Sequence, residues 1–207
     1  MQEPDRPSEQ IEQIHAMMAR STTFVSLSGM SGVFAGLVAF GAVWLIYRQF
    51  GTLWLTDEVF TALRGSPSLV RSMTGIFLWT LLIALTGAFL FTWRRASRLR
   101  IGLWNIASRR FGMHLSLPLL AGGVFILALL QHGAYELVCP AMLVFFGLAL
   151  LGAAKYSFSE TAVFGVVELV LGLVALFWIE GGLILWEVGF GVVTAAYGLL
   201  MYLRYGR

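Results

Sequence analysis

The sequence predicts an all-α fold: a polytopic transmembrane helix bundle of about six membrane-spanning helices, N-in/C-in, with short amphipathic helices at the interface. Three observations lead there. Of 207 residues, 58% are hydrophobic and 12% charged, whereas a soluble domain carries about 25% charged residues. So much apolar surface exceeds what one small core can bury, which excludes an ordinary soluble fold and intrinsic disorder alike. The apolar residues also fall in continuous runs near the roughly 20 residues a helix needs to cross a bilayer. None alternates with period two, so a transmembrane barrel is excluded. Thirdly, the basic residues cluster beside these runs, unequally on the two sides. The single cysteine, Cys139, excludes a disulfide scaffold and reads as a small apolar filler.

Residues 1–22 read as a cytoplasmic amphipathic segment. Glu3, Asp5, Glu9 and Glu12 make it acidic, where a secretory signal peptide would be basic. With Ser8 as a possible N-cap, Ile11, Ile14, Met17 and Met18 recur at helical spacing. That is the pattern of a helix lying on lipid, with docking to a partner as the alternative. Residues 23–207 form a single transmembrane domain, since no Gly/Ser-rich linker divides them. Its spans lie near 23–47, 72–93, 113–130, 134–154, 161–179 and 182–203. Between the first two, Thr56 or Asp57 can cap a short interfacial helix bearing Val59, Phe60 and Leu63. Gly65-Ser66-Pro67-Ser68 breaks that helix. Between the second and third spans, Arg94, Arg95, Arg98, Arg100, Arg109 and Arg110 surround Ile101, Leu103, Trp104 and Ile106. This basic amphipathic segment fits an anionic lipid surface.

Orientation follows from these arginines. If they are cytoplasmic, so are Arg6, Arg20, Lys155, Arg204 and Arg207, and only Arg48, Arg64 and Arg71 remain outside. Eleven basic residues then lie inside and three outside, the asymmetry of a protein with both termini in the cytoplasm. Trp54, Trp93, Trp104, Trp178 and Tyr202 fall near span ends, as interfacial aromatics do. The last two spans share a Glu followed by Gly (Glu168…Gly172, Glu187…Gly191), too short a likeness for an inverted repeat.

Three segments carry a resemblance: Ser21–Gly32 (Ser-Thr-Thr-Phe-Val-Ser-Leu-Ser-Gly-Met-Ser-Gly), Lys155-Tyr156-Ser157-Phe158, and Gly189–Val193 with Tyr197–Tyr202. They resemble a group of uncharacterised bacterial multi-span (six-helix) integral membrane proteins. The likeness covers the first span and the last two and is weaker between. It implies an architecture and a bacterial inner membrane, and brings no catalytic residues.

Lipid alone does not account for a few residues. Ser28, Gly32 and Gly36 repeat every four positions in the first span, beside Ser31, Ala35 and Ala39. Such a stripe lets helix backbones approach closely, either within this bundle or across a homodimer seam. Glu168 sits mid-span between Val167 and Leu169. A bare carboxylate there costs at least about 2.5–3.5 kcal/mol, so it should face the interior and be protonated, paired or hydrated. Gly165 and Gly172 share its helical face. The plainer reading is a protonated Glu hydrogen-bonded to a neighbouring helix. Glu187 should also turn inward, with Gly191, Thr194, Ala195 and Gly198 on its face. Counting 1.5 Å per residue, Glu168 lies about 16 Å and Glu187 about 8–9 Å from the outer ends of their helices, a stagger of roughly two turns if the helices are level. Near the outer mouth, His132 and Glu136 are four apart and share a face if the helix continues through Gly133. With the two intramembrane carboxylates they would outline a polar path to Glu168.

The sequence has no HExxH or CxxC, no Gly-x-Ser-x-Gly and no phosphate loop. The expectation is therefore no enzyme, no metal, no cofactor and no nucleic-acid partner. The leading function is a membrane protein whose carboxylates handle a proton, cation or small ligand. The alternative is a structural or regulatory subunit, packing through its small-residue faces against a second copy or a membrane-complex partner. Membrane lipids are expected as partners in either case.

Overall fold

The computed structural model describes residues 29–99 and 106–205. The predicted N-terminal surface helix, Ser28 and Arg100 lie outside these residues. The elements are helical throughout: α1 (Gly29–Phe50), α2 (Asp57–Gly65), α3 (Pro67–Leu99) and α4 (Ile106–Gln131), then a 3₁₀ turn (Tyr135–Leu137), α5 (Val138–Ala154) and α6 (Ser159–Phe177). A second 3₁₀ turn (Ile179–Gly181) leads into α7 (Gly182–Trp186), a π-helical segment (Glu187–Val193) and α8 (Thr194–Tyr205). Among the described residues, six helices are long and apolar enough to cross a membrane, the last made jointly by the second turn, α7, the π-helical segment and α8. The helical, multi-pass reading of the sequence is thereby borne out.

Several boundaries move outward. α3 begins at Pro67 and carries Arg94 and Arg95, while Arg109 and Arg110 lie near the start of α4. An apolar run stops at its first charge, but a helix need not: Arg is a good helix former and its long side chain reaches the headgroups. Thus the described arginines of the basic amphipathic segment belong to the extended ends of α3 and α4. The turn at Ser66 is tight, because Pro67 fits the first turn of a helix, where its missing N–H costs nothing.

Two sets of three helices make the bundle. α1 lies between α3 and the last span, and α5 lies between α4 and α6. α7 joins the sets by packing on α5 and α6. Glycines allow the close approaches. Phe34 of α1 seats on Gly87 of α3, and Phe145 of α5 on Gly122 of α4. At one end, here termed the α2 end, backbone and side chains tie the connections together. Leu55 N–H donates to Glu180 O (2.9 Å), and Ser72 Oγ donates to Gln49 Oε1 (3.0 Å). At the opposite end Arg204 pairs with Glu160. Val59, Phe60 and Leu63 of α2 are buried against a core that includes Ile46, Phe77, Leu143, Leu183 and Trp186. Elsewhere large apolar side chains point outward, among them Phe177, Leu117 and Trp79. Such a girdle has no place in water and suits acyl chains.

Candidate functional site

The buried face of α6 presents Thr161, Phe164, Gly165, Glu168, Gly172 and Ala175, a stripe at helical spacing. Gly165 lies against Gly147 and Leu150, and Gly172 against Leu143 and Val144, so α5 is drawn in on both sides of Glu168. Glu168 is 0% exposed, and neither carboxylate oxygen has a hydrogen-bond partner among the described residues. Its neighbour across the interface is Gly189 of the π-helical segment. A methyl group built at Gly189 would sit 2.5 Å from Glu168 Oε2 and 2.6 Å from Leu143 Cδ2. A residue without a side chain is therefore what leaves room for the carboxyl group.

The π-helical segment shapes this surface. Gly189 and Gly191 weaken α-helical preference locally, and β-branched Val188, Val192 and Val193 add to that. Thr194 Oγ1 donates to Gly189 O, five residues back, at 3.0 Å. Segments with i→i+5 bonding are uncommon and gather at functional sites. Glu187 opens the segment. Its side chain runs along its own helix to Gly191, where a built methyl would lie 2.5 Å from Glu187 Oε1 and 3.4 Å from the Phe40 ring of α1. Both Glu187 oxygens are buried without a partner among the described residues, as is Trp186 Nε1 beside it.

The two carboxylates thus lie at the levels of Gly189 and Gly191, well under two turns apart. Counting from helix ends misjudged this stagger, because a π-helical segment puts more residues into each turn and the preceding 3₁₀ turn displaces the start of the helix. They occupy different faces of the last span: Glu168 approaches from α6 and α5, Glu187 lies toward α1. An aromatic row borders them, from Phe77 to Trp186 to Phe190 to Phe146 to Phe164 to Tyr197, with ring centroids 4.6–5.8 Å apart. Beyond it, Tyr197 Oη and Thr161 Oγ1 share a hydrogen bond of 2.8 Å, and Thr161 Oγ1 donates to Ser157 Oγ at 3.2 Å. Thr161 lies two helical turns from Glu168 on the same face, about 10 Å along the axis.

His132 and Glu136 do not join this site. α4 ends at Gln131, and Gly133 takes a left-handed φ of 70°. The chain turns there, so the two residues share no helical face. Glu136 instead accepts from Arg64 Nη2 with both oxygens, at 3.0 Å each, tying α2 to the start of α5. His132 is exposed. Gly32 and Gly36 lie in a seam between α1 and the last span. A methyl at Gly32 would meet Gly198 Cα at 2.8 Å, and one at Gly36 would meet Gly191 O at 2.6 Å. Gly29 continues the seam against Gly198 and Tyr202. Arg94, Arg109 and Arg110 are exposed.

Sequence reasoning missed Gly189, the π-helical segment and the Tyr197–Thr161–Ser157 chain. The signal available was the pair of glycines, Gly189 and Gly191, directly after an intramembrane Glu. The chain matches no protein-family model, no curated protein and no solved structure. The chemistry of the site is read from its geometry alone.

Proposed function

We propose that this is a non-enzymatic protein of a bacterial inner membrane, with both termini cytoplasmic, whose intramembrane carboxylates handle a proton, cation or small ligand. Of the three, a proton at Glu168 has the best support. The observation that carries it is a fully buried carboxyl group with both oxygens unpartnered, set against a glycine of a π-helical segment. An apolar cage tolerates the neutral acid and penalises the anion heavily. Releasing the proton therefore requires water, a cation or a movement of the last span to reach Glu168. A divalent ion has less support, because no three His, Cys, Asp or Glu side chains converge among the described residues. The subunit reading loses its main surface, since Gly29, Gly32 and Gly36 are spent against the last span of the same chain.

Infrared difference spectroscopy of the reconstituted protein tests the proton reading. A carboxylic C=O band that responds to pH is expected in the wild type and absent in Glu168→Gln, which keeps the size but cannot ionise. A spectrum identical in the two proteins would sink the proposal. Orientation is tested separately by thiol labelling in a Cys139→Ala background. Cysteines at Ser8 and Gly206 are expected to react only after the membrane is permeabilised; labelling of intact cells would reverse the topology.

A further inference from the structure

A groove of about 620 Å³ runs between α1 and α3 on their outward side, well within the range of ligand-sized sites. Its floor and walls are apolar: Val38, Ala42 and Leu45 from α1, Ile76 and Ile83 from α3, with Trp44 and Trp79 standing as exposed flanks. Gly41 and Gly75 both line it, and a methyl built on either would meet no atom within 4 Å, so the absent side chains are what hold the groove open. Thr80 adds no polarity, because its hydroxyl is already donated to Ile76 O at 2.8 Å.

The end of the groove nearest α2 is different. Arg71 and Ser72 line it, and Ser72 is fixed by its bond to Gln49. Arg48 lies over the Trp44 ring, 5.2 Å from its centroid. Neither Arg48 nor Arg71 has an acidic partner among the described residues, and no carboxylate lines the groove. Two uncompensated cations thus sit at the mouth of an apolar channel. From Arg71 to Ile83 the channel is about 18 Å long at 1.5 Å per residue. One leaflet contributes about half of the roughly 30 Å hydrocarbon core, so that length matches one acyl chain plus the depth of a phosphate.

We infer that this groove is a binding site for one phospholipid, with an acyl chain between Trp44 and Trp79 over Gly41 and Gly75, and its phosphodiester on Arg71 and Arg48. A neighbouring helix would bring no anion to the arginines unless it carried a carboxylate at that depth, whereas every phospholipid carries a phosphate there. Guanidinium groups suit it, since they give paired hydrogen bonds to phosphate oxygens.

The test is native mass spectrometry on the full chain purified in mild detergent and exposed to dioleoyl-phosphatidylglycerol. One phospholipid per chain is expected to survive at collision energies that strip the rest. The first atom of a side chain at residue 75 meets nothing within 4 Å, so Gly75→Leu should fold, fill the groove and lose that lipid. Arg71→Gln should lower retention about tenfold or more, the equivalent of one charge-assisted contact. It should also abolish the preference over dioleoylglycerol, which has the same chains and no phosphate. Circular dichroism and elution volume confirm that each variant is folded. Retention in Gly75→Leu equal to wild type, or only a graded series of weakly held lipids in the wild type, overturns the proposal. So does a dimer that Gly75→Leu splits, which would place a second copy in the groove.

Discussion

Gly32→Leu is expected to leave little folded protein. The atoms that a side chain at residue 32 would meet are Gly198 Cα at 2.8 Å and Thr194 O at 3.1 Å, both backbone. A flexible side chain could swing aside, but a helix backbone can only be pushed away. The separation needed for a leucine would also lift Gly29 from Tyr202 and Gly36 from Gly191, because the three contacts lie along one seam. Overpacking of cores usually costs about 1–3 kcal/mol with local relaxation. Here relaxation is blocked, and the loss is expected at or above the top of that range, against a total stability of about 5–15 kcal/mol for a typical domain. Gly123→Leu, on α4 at a position where an added methyl meets no atom within 4 Å, is the control and should purify as wild type. Yield, monodispersity and thermal aggregation temperature in one detergent give the comparison. An unchanged thermal profile for Gly32→Leu would show that the seam can part cheaply.

Glu168→Met is expected to make the protein more stable while removing the ionisable group proposed to carry a proton. The carboxyl group is wholly enclosed and neither oxygen is bonded. Leaving a buried polar group unsatisfied costs about 1–3 kcal/mol. Methionine has a similar unbranched shape, needs no partner and adapts to irregular space. The gain should therefore approach that figure. Glu168→Gln should show no such gain, since an amide brings two donors and an acceptor into the same cage. Thermal unfolding of the three proteins decides the matter. If Glu168→Met is clearly less stable than wild type, the carboxyl group has partners such as internal water, and its surroundings are wetter than an apolar cage.

The spans were legible because each is a run of apolar residues long enough to cross a bilayer, which is a property of composition alone. Glu168 was legible as an inward residue for a similar reason: its cost in lipid leaves it nowhere else to go. The glycines on its face, Gly165 and Gly172, were also readable from spacing. What they meet was not. That Gly189 stands opposite Glu168 depends on how two helices slide past one another, and no local pattern encodes it. The pairing of Arg64 with Glu136 joins residues 72 apart in the chain. Each looked like an ordinary surface charge, and His132 seemed the nearer partner until Gly133 turned the backbone away. Helix ends were misplaced where arginines prolonged a helix past its apolar run, as in α3. The π-helical segment was hidden as well, since its residues are compatible with an α-helix and its form is settled by Thr194 and by packing against α1.

The seam between α1 and the last span also dictates an order of assembly. The first span emerges from the ribosome on the order of 160 residues before the glycines it packs against, a delay on the order of ten to thirty seconds at usual rates of synthesis. Throughout that interval Gly29, Gly32 and Gly36 are a bare strip of backbone facing lipid or whatever helix passes by. α5 and α6, in contrast, are made back to back and can pair as soon as both are inserted. The seam between α1 and the last span therefore forms last, after α1 has met α3 and α5 has met α6. Messages truncated before the last span should yield a protein that inserts, pairs α5 with α6 and α1 with α3, and leaves the glycine face of α1 uncovered.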